Sequence, residues 1–110
     1  MLESGAVNIV LCNAPPDRAD DIARTLVAER LAACINLLAV RSVYRWKDEL
    51  QQEPEVTMLI KVSAERVPAL SARLRALHPY ELPEILVLDV DAGRSLAEYV
   101  AWVRDECAAG

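Results

Sequence analysis

The eight residues His78-Pro79-Tyr80-Glu81-Leu82-Pro83-Glu84-Ile85 limit the fold more than any other stretch of this 110-residue chain. Each proline fixes φ and lacks an amide donor. Each also pushes the residue before it, His78 and Leu82, away from helical geometry. The segment therefore reads as a rigid, extended connector. Before it, Val67, Leu70, Leu74 and Leu77 recur at helical spacing; after it, Ile85, Val87 and Leu88 read as a strand. The link between them carries the only histidine, a tyrosine and two carboxylates at set positions.

The remaining elements follow from apolar spacing and breakers. Val7 to Cys12 is a nearly continuous apolar strand, a pattern that predicts burial on both faces. Pro15, Pro16 and Asp17 open a helix whose apolar side is Ala19, Ile22, Ala23, Leu26 and Val27. Asp17, Asp20 and Asp21 lie near its positive end and Arg30 near its negative end. Ala33 to Trp46 is a long extended stretch, with a kink or bulge expected at Val40 to Ser42. Lys47 to Glu55 is polar and turns the chain. Val56 to Ser63 then alternates with the period of a strand.

Glu65 to Leu77 predicts a second helix, which Pro68 confines to a start at Ala64 or later. Ile85 to Val90 is the last core strand. Ser95-Leu96-Ala97-Glu98 has the form of a capping box before a third helix that uses Leu96, Tyr99, Val100 and Val103. The order β-α-β-β-α-β-α is that of an α+β, ferredoxin-like βαββαβ sandwich with an added C-terminal helix. In that fold the second and fourth strands lie at the sheet edges, and open edges invite pairing with another chain.

Size and charge narrow the function. A chain of this length holds one domain, residues 1–110, with an ordered core at about 7–106. Disorder is expected only at Met1 to Gly5 and Ala108 to Gly110. The net charge is −5 and Lys47 and Lys61 are the only lysines, so nothing offers the positive footprint that nucleic acid needs. No apolar run approaches the ~20 residues of a membrane span. The three cysteines Cys12, Cys34 and Cys107 form no C-x-x-C, and no leader pattern precedes them. This predicts a cytoplasmic protein. The three glycines lie far apart, which excludes a glycine-rich phosphate loop and any nucleotide or organic cofactor held by one.

His78 reads either as a metal ligand or neutral-pH proton donor, or as the residue that closes the second helix by bonding a carbonyl. Cys12 and Cys34 fall on strands, where free cysteine is usually a small core side chain; Cys107 falls in the tail. Tyr44, Trp46, Lys61 and Tyr80 read as the wall of a cleft between subunits, where aromatic rings and one cation would suit a small anionic ligand, or as interface packing. Glu81 and Glu84 read as partners of Lys or Arg or as holders of a cation. Asp48, Glu49, Glu53 and Glu55 read as a solvated turn.

Four segments also carry a family resemblance. HPYELPEI, Leu31-Ala32-Ala33-Cys34-Ile35-Asn36, Ser42-Val43-Tyr44-Arg45-Trp46-Lys47 and Leu59-Ile60-Lys61, with Leu11-Cys12 near the start, together resemble the CutA proteins, described as divalent cation tolerance proteins. The likeness runs from about residue 7 to about residue 103. It implies a non-enzymatic homotrimer closed through sheet edges, as in the related PII signalling proteins. It implies a role in divalent metal tolerance and copper binding by Cys12 and His78. A His-His pair precedes Pro-Tyr in some bacterial relatives, and here the first of the two positions holds Leu77. The alternative it implies is a PII-like sensor that binds a small metabolite between subunits and reports to a protein partner.

Overall fold

A computed structural model of the chain describes residues 6–108. β1 (Val7–Ala14) leads to α1 (Pro16–Ala28), the long strands β2 (Cys34–Trp46) and β3 (Glu49–Ser63), α2 (Val67–Leu77), β4 (Leu86–Asp89) and α3 (Ala97–Glu106). The sheet runs β2-β3-β1-β4 and is antiparallel at each pairing. This is the ferredoxin-like α+β arrangement, with β2 and β4 at the edges. Of the residues expected to be disordered, Met1 to Gly5 and Ala108 to Gly110, all but Ala108 lie outside the described residues. No helix among the described residues is long and apolar enough to cross a membrane.

One face of the sheet makes the core. Val10, Cys12 and Ala14 of β1 and Met58, Ile60 and Val62 of β3 are fully buried there, with Leu26 of α1 and Leu70 and Leu74 of α2. Pro16 stands in the first turn of α1 and Pro68 in that of α2, where the missing N–H has no helical partner to lose. A short 3-10 turn over Ala64–Arg66 delays α2 to Val67. Val27, expected on the apolar side of α1, is 40% exposed.

The other face is covered only at one end, where α3 lies against β1 and β3 and Val7 and Ser63 are buried. Ile9 and Leu11 of β1 lie beside Lys61 and Leu59 of β3 and beside Leu88 and Leu86 of β4. Leu86 and Leu88 are exposed, as is Leu38 of β2. Burial on both faces of β1, predicted from its apolar run, is therefore complete only on the helix side of the single chain.

The hairpin departs most from expectation. Lys47 and Asp48 alone make the turn, with φ of 51° and 64°. Positive φ at both central residues is the geometry of a type I′ hairpin turn. The residues expected to be a polar turn, Glu49 to Glu55, are instead strand, and every residue of β2 pairs with one of β3 in an unbroken register. No bulge interrupts Val40 to Ser42. β1 pairs with β3 only from Ser63 to Val56. Beyond Val56 the hairpin runs on as a two-stranded arm. Pro54 stands just past the end of β1, where its missing amide leaves no open donor on the uncovered edge.

Two smaller expectations also change. Ser95 gives its hydroxyl to the Asp91 carbonyl, and α3 starts after Leu96 with no side-chain cap, so the capping box does not form. Cys107 is not in a loose tail: it closes α3 and is 1% exposed within the core. The turn supplies the test. Asp48 occupies a left-handed conformation that costs an L-residue about 1 kcal/mol. Asp48→Gly is expected to raise the melting temperature by a few degrees, up to about 1 kcal/mol. Thermal unfolding checks this, and an unchanged or lower melting temperature would show that the turn is unstrained.

Candidate functional site: a cleft of carboxylates and tyrosines

Where β1 ends and the arm begins, the proline connector lies across the sheet. His78 ends α2 in extended geometry, as the following proline requires, and is 7% exposed. The Tyr80 amide donates to His78 Nδ1 at 3.2 Å. Nε2 therefore carries the proton and donates to the Asn13 carbonyl at 2.7 Å. The Cys12 thiol points at the same carbonyl, 3.7 Å away. The Asn13 side-chain oxygen accepts from the Thr57 hydroxyl at 2.7 Å. Cys12 and His78 thus converge, but on a backbone oxygen of β1. Of the two sequence-level interpretations of His78, the carbonyl-bonding one describes its geometry.

The connector then delivers Tyr80 to the arm. Its hydroxyl donates to Glu55 at 2.8 Å. Tyr44, on the facing strand, donates to Glu53. These groups wall a cleft of about 680 Å³, together with Trp46, Arg45, Glu81 and Glu84. Glu81 also meets Lys47 at 3.8 Å. The cleft is electronegative. A hydrogen bond to Glu53 pushes the Tyr44 phenol up to about 12. Burial, and then Glu55, raises Tyr80. Burial first, then the charges of Glu84 and Glu55, pushes the Cys12 thiol up to about 12.

Tyr44, Trp46 and Tyr80, expected to wall a cleft between subunits, line this cleft within one chain, with Glu81 and Glu84 beside them. Lys61 is not among them. It pairs with Ile9 and Cys34, six residues along β3 from Glu55 and so about 20 Å away. The cation that would have suited an anionic ligand is at the other end of the sheet. Glu53 and Glu55 were read as a solvated turn, and they become the cleft's principal carboxylates. Their signal was the two-residue turn: with Lys47 and Asp48 as its tip, Ser42 faces Glu53, and Tyr44 becomes the diagonal neighbour that reaches it.

A family model, the CutA1 divalent ion tolerance protein, matches residues 8–106. The chain belongs to the CutA1 family. It is 40% identical over 102 residues to human Protein CutA, covering 91% of this chain and 56% of the human protein. It therefore spans about half the length of that relative. It is also 40% identical over 99 residues to the divalent-cation tolerance protein CutA of Thermus thermophilus, covering 88% of this chain and 94% of that protein. Among solved structures, the PII-like protein CutA from Nostoc in apo form superposes with a TM-score of 0.90 at 46% identity, over 92% of this chain and 97% of that one.

The copper ligands implied by the CutA resemblance do not suit copper as they stand. A metal takes a lone pair from neutral imidazole and a deprotonated thiol. His78 has both nitrogens engaged in this chain, and the Cys12 thiol is fully buried and turned to the Asn13 carbonyl. Among the described residues no group of three His, Cys, Asp or Glu side chains is placed to hold a metal ion.

The Cys12 thiol gives a pH prediction. Its folded pKa, about 12, lies above the ordinary 9.0 of a free thiol. Its contribution to stability is complete below pH 9. It is lost as pH rises from there towards 12, because the unfolded thiol ionises first. Cys12→Ala is expected to flatten the alkaline limb of the stability profile, read from denaturant midpoints at pH 8 to 11. Native Cys12 is also expected to resist alkylation at pH 8. Rapid labelling of the folded protein would contradict its burial.

Proposed function

We propose that this chain works as a non-enzymatic, cytoplasmic homotrimer in the response to divalent metal ions. One observation carries the assembly: the sheet face opposite α1 and α2 is apolar and, beyond the end that α3 covers, open. Leu38 is 48% exposed and Leu86 55%, with Ile9, Leu11 and Leu59 between their strands. An antiparallel sheet that meets water normally alternates to polar residues on that side. An apolar patch of this kind marks a contact surface.

The arm supports the same reading. A two-stranded hairpin alone is marginal in water. Here it exposes Val43 and Leu50 while holding Tyr44 and Trp46 beside them. The two sheet edges differ, β2 having 13 residues and β4 only four. Contacts between unlike edges run head to tail and form a ring where the rotation between copies closes. Three is the ring size implied by the resemblance to CutA.

Sedimentation equilibrium is expected to give three times the 12.2 kDa chain mass. Leu38→Asp with Leu86→Asp should shift the protein towards monomer. Trp46→Ala should lower both melting temperature and assembly, since aromatic anchors carry much of an interface's energy. A parent protein that stays at 12.2 kDa at micromolar concentration would overturn the proposal. Copper is proposed as a weak ligand only. Calorimetric titration under reducing conditions should give the same isotherm for the parent, Cys12→Ser and His78→Ala. Loss of binding in either variant would restore the Cys12–His78 site.

A second reading, a PII-like sensor that takes a small molecule and reports to a protein partner, is favoured by the cleft. Its volume and aromatic walls suit an organic ligand better than a bare ion.

A further inference from the structure

We propose that the cleft takes an organic cation, an alkylammonium or diamine, and that Glu55 is its anchoring carboxylate. This rests on the sensor reading of the cleft and narrows what enters it. Glu55 is 5% exposed, and the hydrogen bond it accepts comes from the phenol of Tyr80, an uncharged donor. The ion pairs among the described residues join Lys47 to Glu81, Arg73 to Glu29 and Arg94 to Asp91. None brings a cation to Glu55. A buried carboxylate without a counter-charge is costly to keep ionised, and a cation arriving beside it removes that cost.

The surroundings decide the kind of cation. Glu53, Glu55, Glu81 and Glu84 line the cleft against the guanidinium of Arg45 and the Lys47 ammonium at its rim, so an anion would meet net repulsion. A bare divalent ion would find no cluster of three ligating side chains among the described residues. Its hydrated volume would also leave most of 680 Å³ unfilled. An ammonium on an alkyl chain uses what is there: carboxylates for the charge, and the rings of Tyr44, Trp46 and Tyr80 for the stem and for cation–π contact. The rim already shows this recognition. The Lys47 ammonium lies 5.6 Å from the Trp46 ring centroid and 3.8 Å from Glu81. Lys47 is an alkylammonium seated between a ring and a carboxylate.

The test is calorimetric titration of the assembled protein with 1,5-diaminopentane, with glutarate as the anion of matched length and manganese(II) chloride as the bare ion. Saturable diamine binding is expected, weakened at least about tenfold in Glu55→Gln, as loss of a charge-assisted contact implies. It should be unchanged in Glu65→Gln, a remote exposed carboxylate. Should Glu55→Gln fail to fold, Tyr80→Phe removes the hydroxyl that competes for Glu55 and should tighten the diamine severalfold; unchanged affinity there would overturn the proposal. Equal weakening in Glu55→Gln and Glu65→Gln would reveal diffuse surface attraction and overturn it. Manganese binding that depends on Glu55 while the diamine is silent would also overturn it. Glutarate binding without diamine binding would sink this inference and leave the sensor reading standing. Silence of all three probes on an intact trimer would defeat both.

Discussion

The unbroken pairing of β2 with β3 is the constraint on which the rest depends. From Trp46 opposite Glu49 to Cys34 opposite Lys61, every residue of β2 has a partner. A two-residue turn leaves the register no freedom, because a one-residue slip would exchange the two faces of the hairpin. The pairing outruns β1, and so it creates an arm longer than the sheet it belongs to. The molecule is accordingly elongated, 43 Å in its longest dimension against 27 and 25 Å. The arm's inner side and the end of β1 form two walls of the cleft, and the connector forms the third.

The connector's rigidity has a second use. Pro79 holds His78 out of α2, and the imidazole then ties the connector at the Tyr80 amide to the backbone of β1 at Asn13, while the His78 amide closes the end of α2 on Leu74. Arg18 of α1 adds a bond to the Leu77 carbonyl at the same helix end. Tyr80 passes the connection to Glu55 on the arm. Glu55 is thus linked through two hydrogen-bonded residues, Tyr80 and His78, to the backbone of β1 at Asn13.

Much of this was legible in the residues. The element order, the edge positions of β2 and β4 and the helical core positions Ala19, Ile22, Ala23, Leu26, Leu70 and Leu74 follow from periodicity and from where proline is tolerated. The turn was not legible, because Lys47 and Asp48 carry none of the glycine that usually marks a type I′ geometry. Missing it assigned Glu53 and Glu55 to solvent and left Tyr44 without its partner. Ser95 and Glu98 matched a capping box, but the hydroxyl found the Asp91 carbonyl instead; local side-chain bonds of that kind compete with caps. Lys61 was joined to the aromatic residues by residue type alone, and within one chain strand register places it at the other end of the sheet. Cys107 looked peripheral because it follows the last periodic residues, yet α3 turns it back into the core.

The open part of the sheet face and the arm both support the proposed assembly, in which other copies of the chain would complete this fold. Amide hydrogen exchange on the assembled protein tests that most directly, since exchange reports how often each backbone pair opens. The account predicts that amides of residues 42–46 and 49–53 are protected to a degree comparable with β1, and that protection of the arm falls as dilution releases monomer. Rapid exchange of the arm beside a protected β1, unchanged with concentration, would contradict it.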